Sequence, residues 1–158
     1  MSPKHQTVPS NSPKPSSGNR ASRDIADFMT RAPHSIGRDQ TLATAHRMMR
    51  THRVRHLPVL DGGKLLGIVS QRDLYFIETL QSVEMENVRV DEAMSPETYH
   101  VTPTTPLEEV VQAMAEHKYG CAIVVDAKGA VVGIFTTVDA LRAFGQDLRG
   151  GAVRTTKS

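Results

Sequence analysis

A chain of 158 residues suffices for one compact domain or two small ones, and 39% hydrophobic against 23% charged residues is a globular composition. A single cysteine excludes an intramolecular disulfide framework and any multi-cysteine zinc site. Aromatics at 4% with no Trp disfavour a stacking platform for single-stranded nucleic acid, and no run reaches the roughly 20 apolar residues of a membrane span. The net charge of +2 belongs to the ends: residues 24–148 hold 12 basic and 17 acidic residues, a balance that disfavours a basic nucleic-acid-binding core.

In chain order, residues 1–23 carry four prolines, six serines, Lys4, Lys14, Arg20 and Arg23 but no acid, and are expected to form a disordered basic tail capable at most of weak contact with nucleic acid. They contain no apolar signal segment, so the cytoplasm is expected. The spacing predicts a helix over Thr41–His52, with Leu42, Ala45, Met48, Met49 and His52 on one stripe. Two short apolar runs follow, Leu57–Leu60 and Leu65–Val69, split by Asp61-Gly62-Gly63-Lys64 as in a hairpin. A closing helix is expected over Arg72–Leu80, which makes 24–80 the first unit and 81–89 a polar linker.

The second unit, 90–145, repeats the plan. Thr105 is read as the N-cap of its first helix, Pro106 as the first helical residue and Glu108 as the partner in a capping box. Leu107, Val110, Val111 and Met114 form the buried face of that helix. The strands Ala122–Val125 and Ala130–Phe135 enclose the turn Asp126–Gly129, a helix is expected over Val138–Phe144, and 146–158 is read as a flexible tail. Each unit is thus strand, helix, strand, strand, helix.

The two units are copies. At an offset of 65 residues Ile25, Met29 and Thr30 fall on Val90, Met94 and Ser95, and Leu42, Ala45, Met49, Val59 and Asp61 fall on Leu107, Val110, Met114, Val124 and Asp126. One residue is then inserted in the turn, so that Gly67-Ile-Val-Ser70 and Asp73 meet Gly133-Ile-Phe-Thr136 and Asp139 at an offset of 66. Two copies are too few for a solenoid and are expected to pair face to face.

The doubled Gly-h-h-Ser/Thr-x-x-Asp signature, the Arg55-His56-Leu57-Pro58-Val59 segment and the Met-Ser/Thr opening of each copy resemble a pair of cystathionine-β-synthase-type (CBS) motifs, the Bateman module. The resemblance covers about 24–145. It implies an α+β fold of two βαββα CBS motifs packed with pseudo-twofold symmetry, with two clefts between them. It further implies adenosine-containing ligands (AMP, ADP, ATP or S-adenosylmethionine) in those clefts, a homodimer joined through helices, and regulation of another protein.

Ser70 and Thr136 each end a strand and begin a helix, with an acid three residues on. Plain helix capping explains such a pattern. The same helix start also offers free N–H groups to an anion and a carboxylate to ribose hydroxyls. The resemblance assigns Asp73 and Asp139 to the ribose and Ser70 and Thr136 to the ribose and phosphate. Arg55 and His56 form either a solvated basic corner or, by resemblance, a phosphate-neutralising pair. Gly120 and Cys121 stand at the matching positions of the second copy, so one cleft is expected to hold the cations and prefer phosphorylated ligands, the other to have room instead of charge. The start of each copy's first strand, His34, Ser35 and Ile36 and then Tyr99, His100 and Val101, matches, loosely, the region that by resemblance contacts adenine; Ile36 and Val101 read equally well as core. Cys121 is expected to be a small buried residue.

Other chemistry lacks a motif. The sequence has no Gly-x-Ser-x-Gly, no Cys-His signature, no Gly-x-Gly-x-x-Gly and no P-loop. His46, His52 and His56 do not share one face of one element, so no metal site is expected, nor a catalytic cofactor or enzyme activity. The reading is a stand-alone regulatory module for an adenosine-containing ligand; the alternative is a ligand-free module that mediates assembly.

Overall fold

The computed structural model describes residues 23–154. Most of the tail expected over 1–23 therefore lies outside the described residues. The strands are β1 (Thr30–Arg31), β2 (Ile36–Gly37), β3 (His56–Asp61), β4 (Lys64–Ser70), β5 (His100–Val101), β6 (Cys121–Val125) and β7 (Val131–Thr136). The helices are α1 (Leu42–His52), α2 (Gln71–Glu78), α3 (Val90–Ala93), α4 (Leu107–His117) and α5 (Thr137–Arg154), with short 3₁₀ turns at Ile25–Asp27 and Met85–Asn87. The fold is α+β: a three-stranded sheet in the order β2-β3-β4 and a four-stranded sheet in the order β1-β7-β6-β5.

Both expected hairpins form, β3 against β4 and β6 against β7, and each bends at the same place, Val59/Leu60 and Val124/Val125. α1 begins where Thr41 accepts a hydrogen bond from the Thr44 amide, and it buries Leu42, Ala45 and Met49. His52, expected on that buried stripe, is instead exposed and stacks on His34 with ring centroids 3.6 Å apart. α4 departs from the capping-box reading. Its N-cap is Pro106, not Thr105, and it makes no side-chain cap. The Thr105 hydroxyl accepts from the Thr102 amide, while its carbonyl takes the Ile25 amide.

That last bond reveals how the copies are joined. The opening segment of each copy packs on the other one. Ile25, fully buried, belongs to the core built by Val101, Val110, Ala122, Val124 and Phe135 of the second copy. Val90, equally buried, completes the first core with Ile36, Leu42, Leu57, Val69 and Leu74. The backbone repeats the exchange bond for bond. The Leu42 amide donates to Val88 and the Leu107 amide to Arg23; Val90 donates to Gln40 and Ile25 to Thr105.

The signature glycines make this exchange possible. A Cβ at Gly67 would lie 2.6 Å from the Ser95 carbonyl oxygen and 2.7 Å from Met94 Sδ, and one at Gly133 would collide with Met29 Sδ and sit 2.9 Å from its Cγ. The Gly of one copy and the Met-Ser/Thr opening of the other are therefore two sides of one contact, so close that a larger residue would force the opening to shift.

The closing helix α5 runs on to Arg154, past its expected end at Phe144, so the tail expected from 146 is helical as far as it is described. Leu148 continues the exposed apolar stripe of Leu141 and Phe144, and Asp147 pairs with Arg23 at 2.6 Å. An ion pair this exposed contributes little stability; it ties Arg23 to α5.

Candidate functional site

Each strand-to-helix junction folds as a capping box. At α2 the Asp73 Oδ2 atom accepts from the Ser70 amide at 2.7 Å and from its hydroxyl at 2.8 Å, while the Asp73 amide returns to Ser70 Oγ at 3.3 Å. At α5 Asp139 Oδ2 accepts from the Thr136 amide at 2.9 Å and from its hydroxyl at 3.2 Å, and the Asp139 amide donates to Thr136 Oγ1 at 3.4 Å. Capping is thus built into both junctions, but it occupies only one oxygen of each carboxylate.

The second oxygens differ. Asp73 Oδ1 has no hydrogen-bond partner among the described residues, and Asp73 lines a cleft of about 840 Å³ between the copies, a volume suited to a nucleotide-sized ligand. The first copy contributes Arg55, His56, Ile68, Ser70, Arg72 and Asp73 to the cleft. The second contributes Ser95, Glu97, Thr98 and Tyr99, then Lys118 through Cys121, Ile123 and Thr137. Asp139, by contrast, is only 6% exposed, and its Oδ1 accepts from Arg142 Nη1 at 2.9 Å and from Thr30 Oγ1 at 3.5 Å.

One expectation is overturned here. Arg55 and His56 were assigned to one cleft and Gly120 and Cys121 to the other, yet all four line the same cleft. The starts of β3 and β6 meet where the halves join, and the His56 ring rests on Gly120: a Cβ there would lie 2.8 Å from His56 Nε2. The missing side chain of one copy makes room for the ring of the other. Burial pushes the His56 pKa down, with Arg55 and Arg72 adding to the lowering and Asp73 opposing it. Burial also drives the Cys121 thiol up to about 12, consistent with the expected inert buried residue.

Of the residues matched to the adenine-contacting region, Tyr99 lines the cleft. Ile36 and Val101 are core residues of β2 and β5. Ser35 is half-buried just before β2, and His100 is exposed, its Nδ1 3.3 Å from the Thr98 carbonyl. In the open cleft the wall is formed by Thr98 and Tyr99, the two residues before β5. Tyr99 stacks on Tyr119 at 5.1 Å, and Tyr119 on His117 at 5.2 Å. Sequence reasoning did not find Arg72, Lys118 or Tyr119 as cleft residues. For Lys118 a signal existed, because it repeats Arg53 at the 65-residue offset, and both end a helix in the left-handed conformation, φ 58° and 54°. Among the described residues no group of three or more His, Cys, Asp or Glu side chains could hold a metal ion, and no helix is long and apolar enough to cross a membrane.

The CBS domain family model matches residues 25–77 and again 90–146. The chain is 30% identical over 120 residues to inosine-5'-monophosphate dehydrogenase of Korarchaeum cryptofilum, covering 76% of this chain but only 24% of that enzyme. It is 31% identical over 107 residues to the CBS domain-containing protein YhcV of Bacillus subtilis, covering 68% of this chain and 76% of that one. Among solved structures, a protein assigned to acetoin utilization (AcuB) from Vibrio cholerae superposes with TM-score 0.72 at 38% identity, over 80% of this chain and 93% of that one. CBSX2, solved in complex with AMP, gives TM-score 0.68 at 30% identity over 78% and 97%. The CBS pair of MJ0100, solved with 5'-methylthioadenosine and S-adenosylmethionine, gives TM-score 0.70 at 25% identity over 78% and 97%.

Proposed function

The chain belongs to the CBS-domain family as a pair of CBS motifs, and on that premise we propose that it is a regulatory module that binds an adenosine-containing ligand in the Asp73 cleft and reports occupancy to a partner. The observation that carries the reading is the unengaged Oδ1 of Asp73, a residue at the head of α2 that is held in place by its capping box and lines the cleft. Vicinal ribose hydroxyls donate to that oxygen. Arg55, Arg72 and Lys118 supply charge for a phosphate, and Ile68, Ile123 and the Tyr99–Tyr119 pair give the base an apolar wall. CBSX2 with AMP and MJ0100 with its adenosyl ligands support the ligand class; the choice between AMP, ADP, ATP and S-adenosylmethionine rests here on the cations, which favour a phosphate. We place the module in the cytoplasm, where such ligands are held.

Transmission follows from a shared wall. Met114, Ala115, Tyr119 and Thr137 face the ligand cleft on one side and an apolar groove of about 880 Å³ between α4 and α5 on the other. Leu141 and Phe144 line that groove and are 69% and 60% exposed, a face we assign to the second copy of a homodimer or to the regulated protein. A ligand that moves Tyr119 changes both surfaces.

A thermal-shift series with AMP, ADP, ATP, S-adenosylmethionine and adenosine tests the reading. Phosphorylated adenosines are expected to raise Tm more than adenosine does, and Asp73→Ala to abolish the rise. If none of the five shifts the curve at millimolar concentration, the module serves assembly alone. Sedimentation at tens of micromolar checks the homodimer.

A further inference from the structure

We infer that the chain holds one adenosine-containing ligand rather than two, because Arg142 occupies the oxygen of Asp139 that a ribose would need. The inference rests on reading Asp73 as the ribose acceptor and concerns its pseudo-symmetric twin. Both carboxylates give one oxygen to their capping box. At Asp73 the other oxygen is free, whereas at Asp139 it already accepts a charge-assisted bond from Arg142 Nη1 at 2.9 Å and a hydroxyl from Thr30 at 3.5 Å. Two sequence differences produce this. Position 76, which matches Arg142, holds Phe76, which has no donor and is 64% exposed. Position 95, which matches Thr30, holds Ser95, whose hydroxyl donates to the Glu97 carbonyl at 3.3 Å and not to Asp73.

The two sides of this pair differ: the Arg142 side chain is 63% exposed and its carboxylate partner is buried. Asp139 is 6% exposed, and a buried carboxylate needs a counter-charge. A ribose diol is neutral. To reach Asp139 Oδ1 it would have to expel the guanidinium and leave the carboxylate with neutral donors only. The Arg142 side chain lies three residues along the same helix and remains tethered beside its partner. At Asp73 a ribose displaces no protein charge from the carboxylate.

Titration calorimetry with AMP on the full chain tests this by stoichiometry. The unmodified chain is expected to bind one AMP per chain, Asp73→Ala none, and Asp139→Ala one with affinity changed less than threefold. Arg142→Ala is expected to reveal a second site. Phe76→Arg, at an exposed position that tolerates the change, is expected to copy the closure onto Asp73 and weaken AMP at least tenfold while leaving Tm without ligand within a few degrees. Two AMP per chain, loss of binding in Asp139→Ala but not in Asp73→Ala, or undiminished affinity in Phe76→Arg would each overturn the closure while leaving the nucleotide reading intact. Silence toward AMP in every variant, including Arg142→Ala, would overturn both.

Discussion

The two halves of this molecule share a backbone and differ in their chemistry. Hairpins, bulges, capping boxes and exchanged openings recur at matching positions, down to the amide pairs that fasten each opening. The side chains do not follow. Asp73 faces an open cleft and Asp139 is sealed. The first half carries an ion network in which Arg38 joins Asp61 and Asp91 while Arg89 joins Asp91 and Asp39. These pairings raise the Arg38 and Arg89 pKa values and hold Asp91 below the usual carboxylate range. At the matching turn of the second half, Asp126 accepts from its own turn amides, Lys128 and Ala130. Symmetry here is a property of apolar packing and backbone bonding, and the polar side chains laid over it distinguish one cleft from the other.

The exchange of openings gives the largest test of that symmetry. Ile25 precedes every strand among the described residues yet is fully buried in the second core, so Ile25→Ala is expected to cost about 2–5 kcal/mol in chemical denaturation, as for any core Ile. A cost under 0.5 kcal/mol would mean that the opening is not part of the second half. The next largest effect is expected from the ligand. At 100 times its dissociation constant, bound AMP adds about 2.7 kcal/mol, or about 5–10 °C in Tm. That gain should vanish in Asp73→Ala and persist in Asp139→Ala; equal losses in both would restore the symmetry of the clefts.

The glycine contacts should cost less. Gly67→Ala and Gly133→Ala each force a methyl against the exchanged opening, and each is expected to destabilise by about 1–3 kcal/mol. Shortening the opposing side chain should relieve the strain, so a double mutant of Gly133→Ala with Met29→Ala is expected to be less than additive. The smallest effect is expected from His56. Its pKa in the folded chain lies below the ordinary value of 6.5, so below that pH the unfolded chain binds more protons. Its contribution is complete above about pH 6.5 and is lost as pH falls from there through the folded-state pKa. The slope cannot exceed the one-proton limit of about 1.4 kcal/mol per pH unit, and His56→Asn should flatten it. An unchanged slope in that variant would assign the pH dependence to other groups.

Much of this was legible in the sequence because it is local. The α1 stripe needs only 3.6-residue spacing, the hairpins need their glycine turns, and the capping boxes at Ser70 and Thr136 close within four residues. The failures lie where a distant segment competes for the same atoms. Thr105 satisfies the sequence rule for an N-cap, but its carbonyl takes the Ile25 amide and its hydroxyl serves Thr102, so the helix starts a residue later than expected. Arg55, His56, Gly120 and Cys121 look like a contrast between two sites until the start of one strand is seen resting on the start of the other.

By itself the sequence determined that there are two copies, roughly where the longer helices and the hairpin strands lie, and that both strand-to-helix junctions present an acid. It could not determine which copy each opening packs upon. Met29-Thr30 and Met94-Ser95 face the same kind of glycine in either arrangement, so exchanged and unexchanged pairings bury equivalent residues and leave the same pattern in the sequence. Nor could it show that Arg142 reaches its own Asp139 while Phe76 leaves Asp73 open. A salt bridge three residues along a helix forms or not according to what else surrounds the carboxylate, and at Asp139 the surroundings include Thr30, a residue 109 positions away that only the exchanged opening brings within reach.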